Sequence, residues 1–244
     1  MGSEVKLYGL SVSERRILFD ILRSHTASLN SVKLFGSRAR GDYRKTSDID
    51  LAISGQSFMR SRLAEDFSDS LLPHTVDIVD YDGKIDVDLR KNIDKDGKVI
   101  FLTQGGVALM TAEQVKDKLA NYVAALEKLR IAVEKDASDD DMYVDATVQR
   151  FEFCFELAWK LMKSYLEYEG ISVNSPRSSI REGFKANLLD DAAAWLDMLE
   201  QRNLASHTYD EAMAAKLYRN IKDEFFSLLV MFKNEMEQKI IANA

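Results

Sequence analysis

The feature of this 244-residue chain most able to do chemistry is a glycine–serine pair followed at a fixed distance by two aspartates. Gly36 and Ser37 precede Asp48-Ile49-Asp50 with ten residues between them. Gly36 lets the backbone turn sharply, and Ser37 adds a hydroxyl beside backbone N–H groups that can hold a triphosphate tail. Asp48 and Asp50 have the spacing of residues on one face of a strand, where two carboxylates can bind a pair of magnesium ions. The pattern predicts a site for metal-assisted phosphoryl transfer.

A third carboxylate on a neighbouring strand usually completes such a site. Asp77, within the apolar run 76–79, is the best candidate, and Asp80 is a poorer one. We therefore predict that Asp48, Asp50 and Asp77 are both the metal ligands and the catalytic carboxylates.

A P-loop is excluded by the residues that follow the turn. Gly36 and Gly41 are spaced as in G-x-x-x-x-G, but Asp42 stands in the place of the phosphate-binding lysine. Tyr43 likewise replaces the magnesium-binding hydroxyl.

Three polar residues beside the turn are candidate contacts to a bound nucleotide: Arg38, Arg40 and Ser47. For the two arginines, a structural ion pair with Asp42 is the alternative interpretation.

The first part of the chain reads as alternating helices and strands. The capping box Ser11-Val12-Ser13-Glu14 predicts the start of a helix. Apolar patterns predict strands at 32–35, 48–53, 76–79 and 99–102, with a helix at 63–72. After Gly105-Gly106 no strand is predicted.

The rest of the chain is predicted to form helices only. They begin at a second capping box, Thr111 to Gln114, and continue at about 142–169, from 176, and at about 190–205 and 210–240. We predict an α+β protein with a mixed-sheet domain at 1–106 and an all-α bundle at 107–244. The aromatic side chains of the bundle are predicted to lie in its core or in a dimer interface: Phe151, Phe155, Trp159, Trp195, Phe225 and Phe226.

The stretch GSRARGDYRKTSDIDLAI resembles the G-S-x10-D-x-D signature of the polymerase-beta-like nucleotidyltransferases, and of their minimal (MNT) branch in particular. The resemblance covers residues 30–80. It implies ATP or another nucleoside triphosphate as donor, two Mg²⁺ ions, and transfer of the nucleoside monophosphate with release of pyrophosphate.

A segment of the helical half, residues 202–210, resembles the R-x4-H-x-Y motif of HEPN domains. The resemblance implies that His207 exchanges a proton with an RNA 2′-hydroxyl while Arg202 stabilises the phosphorane charge. It also implies that Tyr209 can be the target of adenylylation. Five residues place Arg202 and His207 about 140° apart on a helix. A joint site therefore needs the helix to end near Ser206 or a second subunit, and a structural polar cluster is the alternative.

Several functions remain open at this point. The first hypothesis is a nucleotidyltransferase whose HEPN-like domain is its target or regulatory partner, as in a fused toxin–antitoxin pair. The alternatives are a small-molecule nucleotidyltransferase of the aminoglycoside type, a HEPN ribonuclease regulated by nucleotide binding, and an interaction module with both sites idle. We predict a homodimer through the helical domain.

Composition limits the choice of partners. Residues 1–110 carry 16 Lys and Arg against 16 Asp and Glu, so the remaining residues carry the whole net charge of −7. General nucleic-acid binding needs a basic excess, so RNA is only a local possibility. The sequence has no long apolar run and one cysteine, which predicts a cytoplasmic protein without a membrane segment or an internal disulfide.

Overall fold

The computed structural model describes residues 7–135, 142–205 and 211–242. The chain divides into two compact units, Met1–Gln114 and Val115–Ala244. His207 and Tyr209 lie outside the described residues, as does Ser206. The predicted boundary at 106/107 stays a prediction.

The first unit contains a five-stranded sheet in the order β3-β2-β1-β4-β5. The strands are β1 (Leu29–Phe35), β2 (Ile49–Gly55), β3 (Val76–Asp80), β4 (Lys98–Gln104) and β5 (Val107–Leu109). Strand β1 is antiparallel to β2 and β4, β4 is antiparallel to β5, and β2 runs parallel to β3. The prediction of a mixed sheet is confirmed.

Four helices accompany this sheet. They are α1 (Val12–Arg23), α2 (Gly36–Arg40), α3 (Met59–Ser68) and α4 (Val87–Asp96). The main core combines apolar residues of α1 and α3 with one face of the sheet. On the other face, Phe35 and Ala52 form a smaller cluster with Ile93 of α4. Helix α4 thus covers part of the face that also carries the aspartates.

Three elements differ from the sequence-based expectation. Helix α3 begins and ends four residues earlier than predicted, at Met59 and Ser68. Helix α4 was not predicted, because its segment is mostly charged and only Ile93 is buried. The prediction that no strand follows Gly105-Gly106 is wrong. Both glycines have positive φ angles, +59° and +78°, as a two-residue hairpin turn between β4 and β5 requires.

The second unit is helical throughout its described part, as predicted. Its helices are α5 (Ala112–Val133, which starts in the first unit), α6 (Met142–Tyr168), α7 (Pro176–Lys185), α8 (Ala192–Ala205), α9 (Glu211–Asn220) and α10 (Phe226–Ala242). A π-helical turn, Ile221–Phe225, joins α9 to α10 and was not anticipated. Among the described residues, no helix is long and apolar enough to cross a membrane.

Aromatic side chains form the core of the bundle. Phe151 stacks on Phe225 with ring centroids 5.7 Å apart, and Trp195 contacts Phe155 and Phe232 at 6.0 and 5.3 Å. Such ring pairs add to the stabilisation from apolar burial. Of the predicted core aromatics, Phe151, Phe155, Trp195 and Phe225 are buried, whereas Trp159 and Phe226 are half-buried.

Candidate active site

The three predicted carboxylates belong to neighbouring segments at one end of the sheet. Asp50 on β2 lies directly opposite Asp77 on β3 in the parallel ladder. Asp48 is one residue before the start of β2, so it belongs to the preceding loop and not to the strand. Asp48 and Asp77 are exposed, and Asp50 is half-buried. Asp80 has a different environment, because its Oδ1 accepts the N–H groups of Asp82 and Gly83 at 3.1 Å each.

The turn at Gly36 touches Asp50. Gly36 follows β1 with a φ of +71°, and a Cβ placed there would lie 2.1 Å from Oδ2 of Asp50. Only glycine therefore fits without moving the carboxylate. Phe35 is the partner of Asp50 across the sheet, so the β1–α2 turn brings the glycine backbone to the carboxylate.

The charged form of Asp50 is disfavoured at this end of the sheet. Burial raises the pKa of Asp50, and the charges of Asp77 and Asp48 raise it further. Arg38 and Arg40 oppose this shift without reversing it. A bound cation would stabilise the ionised form of Asp50.

The fit of magnesium depends on the chemistry of these donors. Among the described residues, no three His, Cys, Asp or Glu side chains are placed so that they alone could hold a metal ion. Magnesium is bound through one or two carboxylates plus substrate phosphates and keeps several of its waters. Hard carboxylate oxygens beside a glycine turn suit that mode of binding.

Arg38 is buried and bonds to several segments of the first unit. Its exposed fraction is 1%. Nη2 donates to the carbonyl of Ser47 at 2.6 Å, and Nε donates to that of Asp48 at 3.0 Å. Nη1 donates to the carbonyl of Tyr8 at 2.9 Å, and Nη2 also contacts Nδ1 of His74 at 3.1 Å. These bonds hold the loop that carries Asp48, which is a different role from the predicted nucleotide contact.

The other predicted nucleotide contacts lie around the same turn. Arg40 is exposed and donates to Asp42 at 3.3 Å, which is the ion pair considered as the alternative. The Ser47 hydroxyl accepts the N–H of Arg44 at 2.9 Å and closes the turn before Asp48. Ser37 is half-buried on α2, next to Gly36. The nucleotide contacts of Gly36, Ser37, Arg38, Arg40 and Ser47 stay predictions.

In the bundle, the described part of the R-x4-H-x-Y segment contains Arg202. Its Nη2 lies 3.5 Å from Oε2 of Glu156 on α6, and Nη1 donates to Asn203 at 3.3 Å. Glu156 also accepts from Trp159 and Lys160, each at 2.8 Å. Although burial raises the pKa of Glu156, these hydrogen bonds and the charge of Arg202 lower it overall. Glu156 of α6 is therefore the ion-pair partner of the Arg202 guanidinium.

Sequence reasoning missed the contribution of His74 and Glu14. His74 follows Pro73 in a short polar segment, and Glu14 was noted only for its capping box. His74 contacts Arg38, and Glu14 contacts His74. These contacts join segments far apart in the chain, so no local pattern could have indicated them.

Comparison with protein families matches both units. Residues 18–105 match the model "Polymerase beta, Nucleotidyltransferase", which defines the first unit as a nucleotidyltransferase-type domain. Residues 117–238, half of the chain, match "Nucleotidyltransferase substrate binding protein like", and the chain belongs to that family. The predicted combination of an MNT-type domain and a HEPN-like substrate-binding domain in one chain is confirmed.

Two curated proteins of Haemophilus influenzae are similar to parts of the chain. "Probable ribonuclease HepT" is 32% identical over 88 residues, which are 34% of this chain and 60% of that protein. "Probable protein adenylyltransferase MntA" is 46% identical over 55 residues, 21% of this chain and 48% of that protein. The chain therefore spans less than two thirds of the length of either relative.

Among solved structures, one from Haemophilus influenzae is described as the fold of a substrate binding domain of a nucleotidyltransferase. It is 24% identical, covers 52% of this chain and 97% of its own, and has a TM-score of 0.39.

Proposed function

We propose that the first unit transfers a nucleoside monophosphate, AMP in the first instance, from a nucleoside triphosphate to a hydroxyl acceptor. The observation that carries this proposal is the placement of Asp50 opposite Asp77, with the Gly36 backbone against the Asp50 carboxylate. Asp48 is the third member of the set, because its charge acts on Asp50. An arrangement of this kind suits in-line transfer at a phosphorus atom.

In the proposed reaction the acceptor oxygen forms a bond to the α-phosphorus, and the bond from that phosphorus to the bridging oxygen of the β-phosphate breaks. Pyrophosphate leaves, and a carboxylate of the trio takes the proton of the acceptor hydroxyl. Asp48, Asp50 and Asp77 would hold magnesium together with the triphosphate, and the metal would supply neutralisation of the phosphate oxygens and a lower pKa for the attacking hydroxyl. Asp48, Asp50 and Asp77 orient these groups, and the Gly36–Ser37 turn receives the triphosphate.

For the acceptor, we propose a protein hydroxyl, and Tyr209 of this chain first. A phenol is a weak nucleophile near neutral pH because its ordinary pKa is ~10, so it needs a group that takes its proton. The name of one curated relative, a protein adenylyltransferase, supports a protein acceptor. An AMP group on Tyr209 would add negative charge and bulk to the segment that also contains Arg202 and His207, which suits a toxin–antitoxin-like regulation of the helical domain.

The test is intact-mass spectrometry of the full chain after incubation with magnesium and each nucleoside triphosphate in turn. We expect a mass gain of one AMP group with ATP, and peptide mapping should place it on Tyr209. An adduct elsewhere would reject Tyr209 but keep the transfer. An unmodified chain that adenylylates a free aminoglycoside or other small alcohol would establish the small-molecule alternative instead.

A second candidate function, metal-independent RNA cleavage by a homodimer of the helical domain, is favoured by the Arg202–Glu156 ion pair. The pair fixes the guanidinium of the one described residue that the proposed RNA site would use, and a relative is named as a ribonuclease. We expect Arg202→Ala to reduce RNA cleavage in EDTA at least about 100-fold, a usual loss when a charge-stabilising donor is removed. Arg177→Ala is the matched control, since Arg177 pairs with Glu200 at 3.3 Å elsewhere in the bundle.

The homodimer belongs to the same proposal, because the helical spacing of Arg202 and His207 suits a site shared across a two-fold axis. Light scattering of the full chain should give twice the monomer mass at micromolar concentration. A monomer, or equal RNA cleavage by the Arg202 and Arg177 variants, would rule out this second function.

A further inference from the structure

We propose that His74 and Glu14 are positioning residues of the nucleotide site, acting through Arg38. We call Glu14, His74 and Arg38 the Arg38 relay. The effect of these residues on catalysis rests on the proposed function. The contacts that form the relay can be tested without any activity.

Arg38 joins the two halves of the proposed site. It belongs to α2, which begins at Gly36, and its guanidinium donates to the carbonyls of Ser47 and Asp48. The side chain of Arg38 therefore connects the Gly36–Ser37 turn to the loop that carries Asp48. If the guanidinium shifts, the distance between the triphosphate and Asp48 changes.

His74 sets the position of the guanidinium on its far side. An arginine N–H can only donate, so Nδ1 of His74 must accept from Nη2 of Arg38 at 3.1 Å. The proton of the neutral imidazole therefore lies on Nε2, which donates to Oε1 of Glu14 at 3.1 Å. The side chain of His74 is only 12% exposed, so water replaces these bonds poorly.

Glu14 is held in turn by the start of α1. Its Oε2 accepts the backbone N–H of Ser11, and the Ser11 hydroxyl accepts the N–H of Glu14, which completes the capping box. Burial raises the pKa of Glu14, but the bonds from Ser11 and the proximity of His74 lower it overall. The carboxylate thus stays charged and faces the relay from a rigid helix end.

Charge compensation gives the relay a second effect. Burial lowers the pKa of Arg38, and the charge of Glu14 is the first of the effects that oppose this, followed by those of Tyr43, Asp48 and Asp50. A buried guanidinium costs little only when it is paired and hydrogen-bonded. Loss of the imidazole leaves an N–H of Arg38 without its acceptor, and the guanidinium is then expected to move toward other oxygen atoms.

Loss of the relay is expected to change kcat and KM for ATP to different extents. The turn that receives the triphosphate remains in place, so binding of ATP changes little. Alignment of Asp48 with the bound phosphate is lost, and misplacement of a catalytic group by about 1 Å can cost on the order of 100-fold in rate. The relay should therefore act on kcat more than on KM.

The experiment compares three variants of the full chain. His74→Leu removes the acceptor, and His74→Asn keeps an oxygen near the position of Nδ1. His25→Leu is the matched control, because His25 pairs with Asp66 away from this site and is similarly part-buried. Amide hydrogen exchange of residues 44–50, read by mass spectrometry, should accelerate at least about fivefold in His74→Leu and stay near wild type in the other two.

Kinetics of nucleotide transfer give the second measurement. We expect kcat to fall about tenfold in His74→Leu with the KM for ATP within about threefold, and His74→Asn to recover most of the rate. Unchanged exchange of residues 44–50 in His74→Leu, or equal damage in His74→Asn or His25→Leu, would overturn the relay. If the wild-type chain transfers nothing, the proposed function fails, but the exchange comparison still decides on the relay.

The tautomer of His74 tests the relay without any variant. Nitrogen NMR of the wild-type imidazoles at alkaline pH should show His74 with its proton on Nε2. A proton on Nδ1 would contradict the bond from Arg38, and with it the proposal, even if His74→Leu fails to fold.

Discussion

Nucleotide transfer should fall at least about 100-fold when Asp48 or Asp50 is replaced by asparagine, a change that keeps the shape of the side chain but removes its charge. Both carboxylates belong to the trio at the end of the sheet, where, in the proposed reaction, their charge would balance that of the cation and orient the phosphate. The measurement is the initial rate of AMP incorporation with magnesium and ATP. Asp88→Asn is the control, because Asp88 is exposed and pairs with Lys91 one turn along α4.

Asp50→Asn is also expected to stabilise the metal-free protein near neutral pH. Burial and then the charges of Asp77 and Asp48 raise the pKa of Asp50 in the folded state. A raised pKa means that Asp50 favours folding below its ordinary pKa of ~3.9, and that this contribution is lost as pH rises through the folded-state value. Thermal unfolding in EDTA should therefore show a higher Tm for Asp50→Asn at pH 7, with the difference vanishing in acid.

The two measurements can contradict the site independently. Transfer within about threefold of wild type in both variants would reject the catalytic role of the aspartates. A lower Tm for Asp50→Asn at pH 7 would show that hydrogen-bond partners stabilise the Asp50 carboxylate more than burial and the neighbouring charges destabilise it. Asp77→Asn should be more damaging to transfer than Asp80→Asn, because Asp80 only caps the N–H groups of its own loop.

Gly36→Ala is expected to reduce transfer at least about 100-fold, while Gly41→Ala leaves it within about threefold. Both glycines have positive φ angles, +71° and +91°, so either substitution costs about 1–2 kcal/mol of backbone strain. The two sites differ in their neighbours: the new Cβ at Gly36 would lie 2.1 Å from Asp50 Oδ2, whereas at Gly41 no atom of the described residues would lie within 4 Å. The pair therefore separates strain from displacement of Asp50.

Initial rates and thermal unfolding, measured on the same samples, test this prediction. The Tm of Gly41→Ala should fall by about 2–4 °C for each kcal/mol of backbone strain in a chain of this size, and that of Gly36→Ala by at least as much. Equal loss of transfer in both variants would mean that the effect comes from strain in α2 and not from contact with Asp50.

The local features of this protein can be predicted from its amino-acid sequence. The Gly36-Ser37 turn and the Asp48-Ile49-Asp50 spacing lie within 15 residues, so chain geometry alone indicated their chemistry. The two capping boxes, at Ser11 and Thr111, were predictable because the residues that bond are three positions apart. The helical character of the second half followed from its apolar periodicity for the same reason.

The contacts between distant segments depend on tertiary packing and could not be predicted from local sequence. The pairing of Asp50 with Asp77 depends on the register between β2 and β3, which packing of two distant segments selects. Helix α4 has a single buried residue, Ile93, and it acquires its place from the sheet face that it covers.

The contacts of Arg38 also differ from those that its place in the sequence motif suggests. Its type and position suggested a phosphate contact, but folding surrounds it with the carbonyls of Tyr8, Ser47 and Asp48 and the imidazole of His74. A buried cation takes whatever acceptors the fold brings to it, and those acceptors come from segments up to 36 residues away in the chain. The local sequence therefore supplied the cation, and only the packing of the whole unit decided what the cation holds.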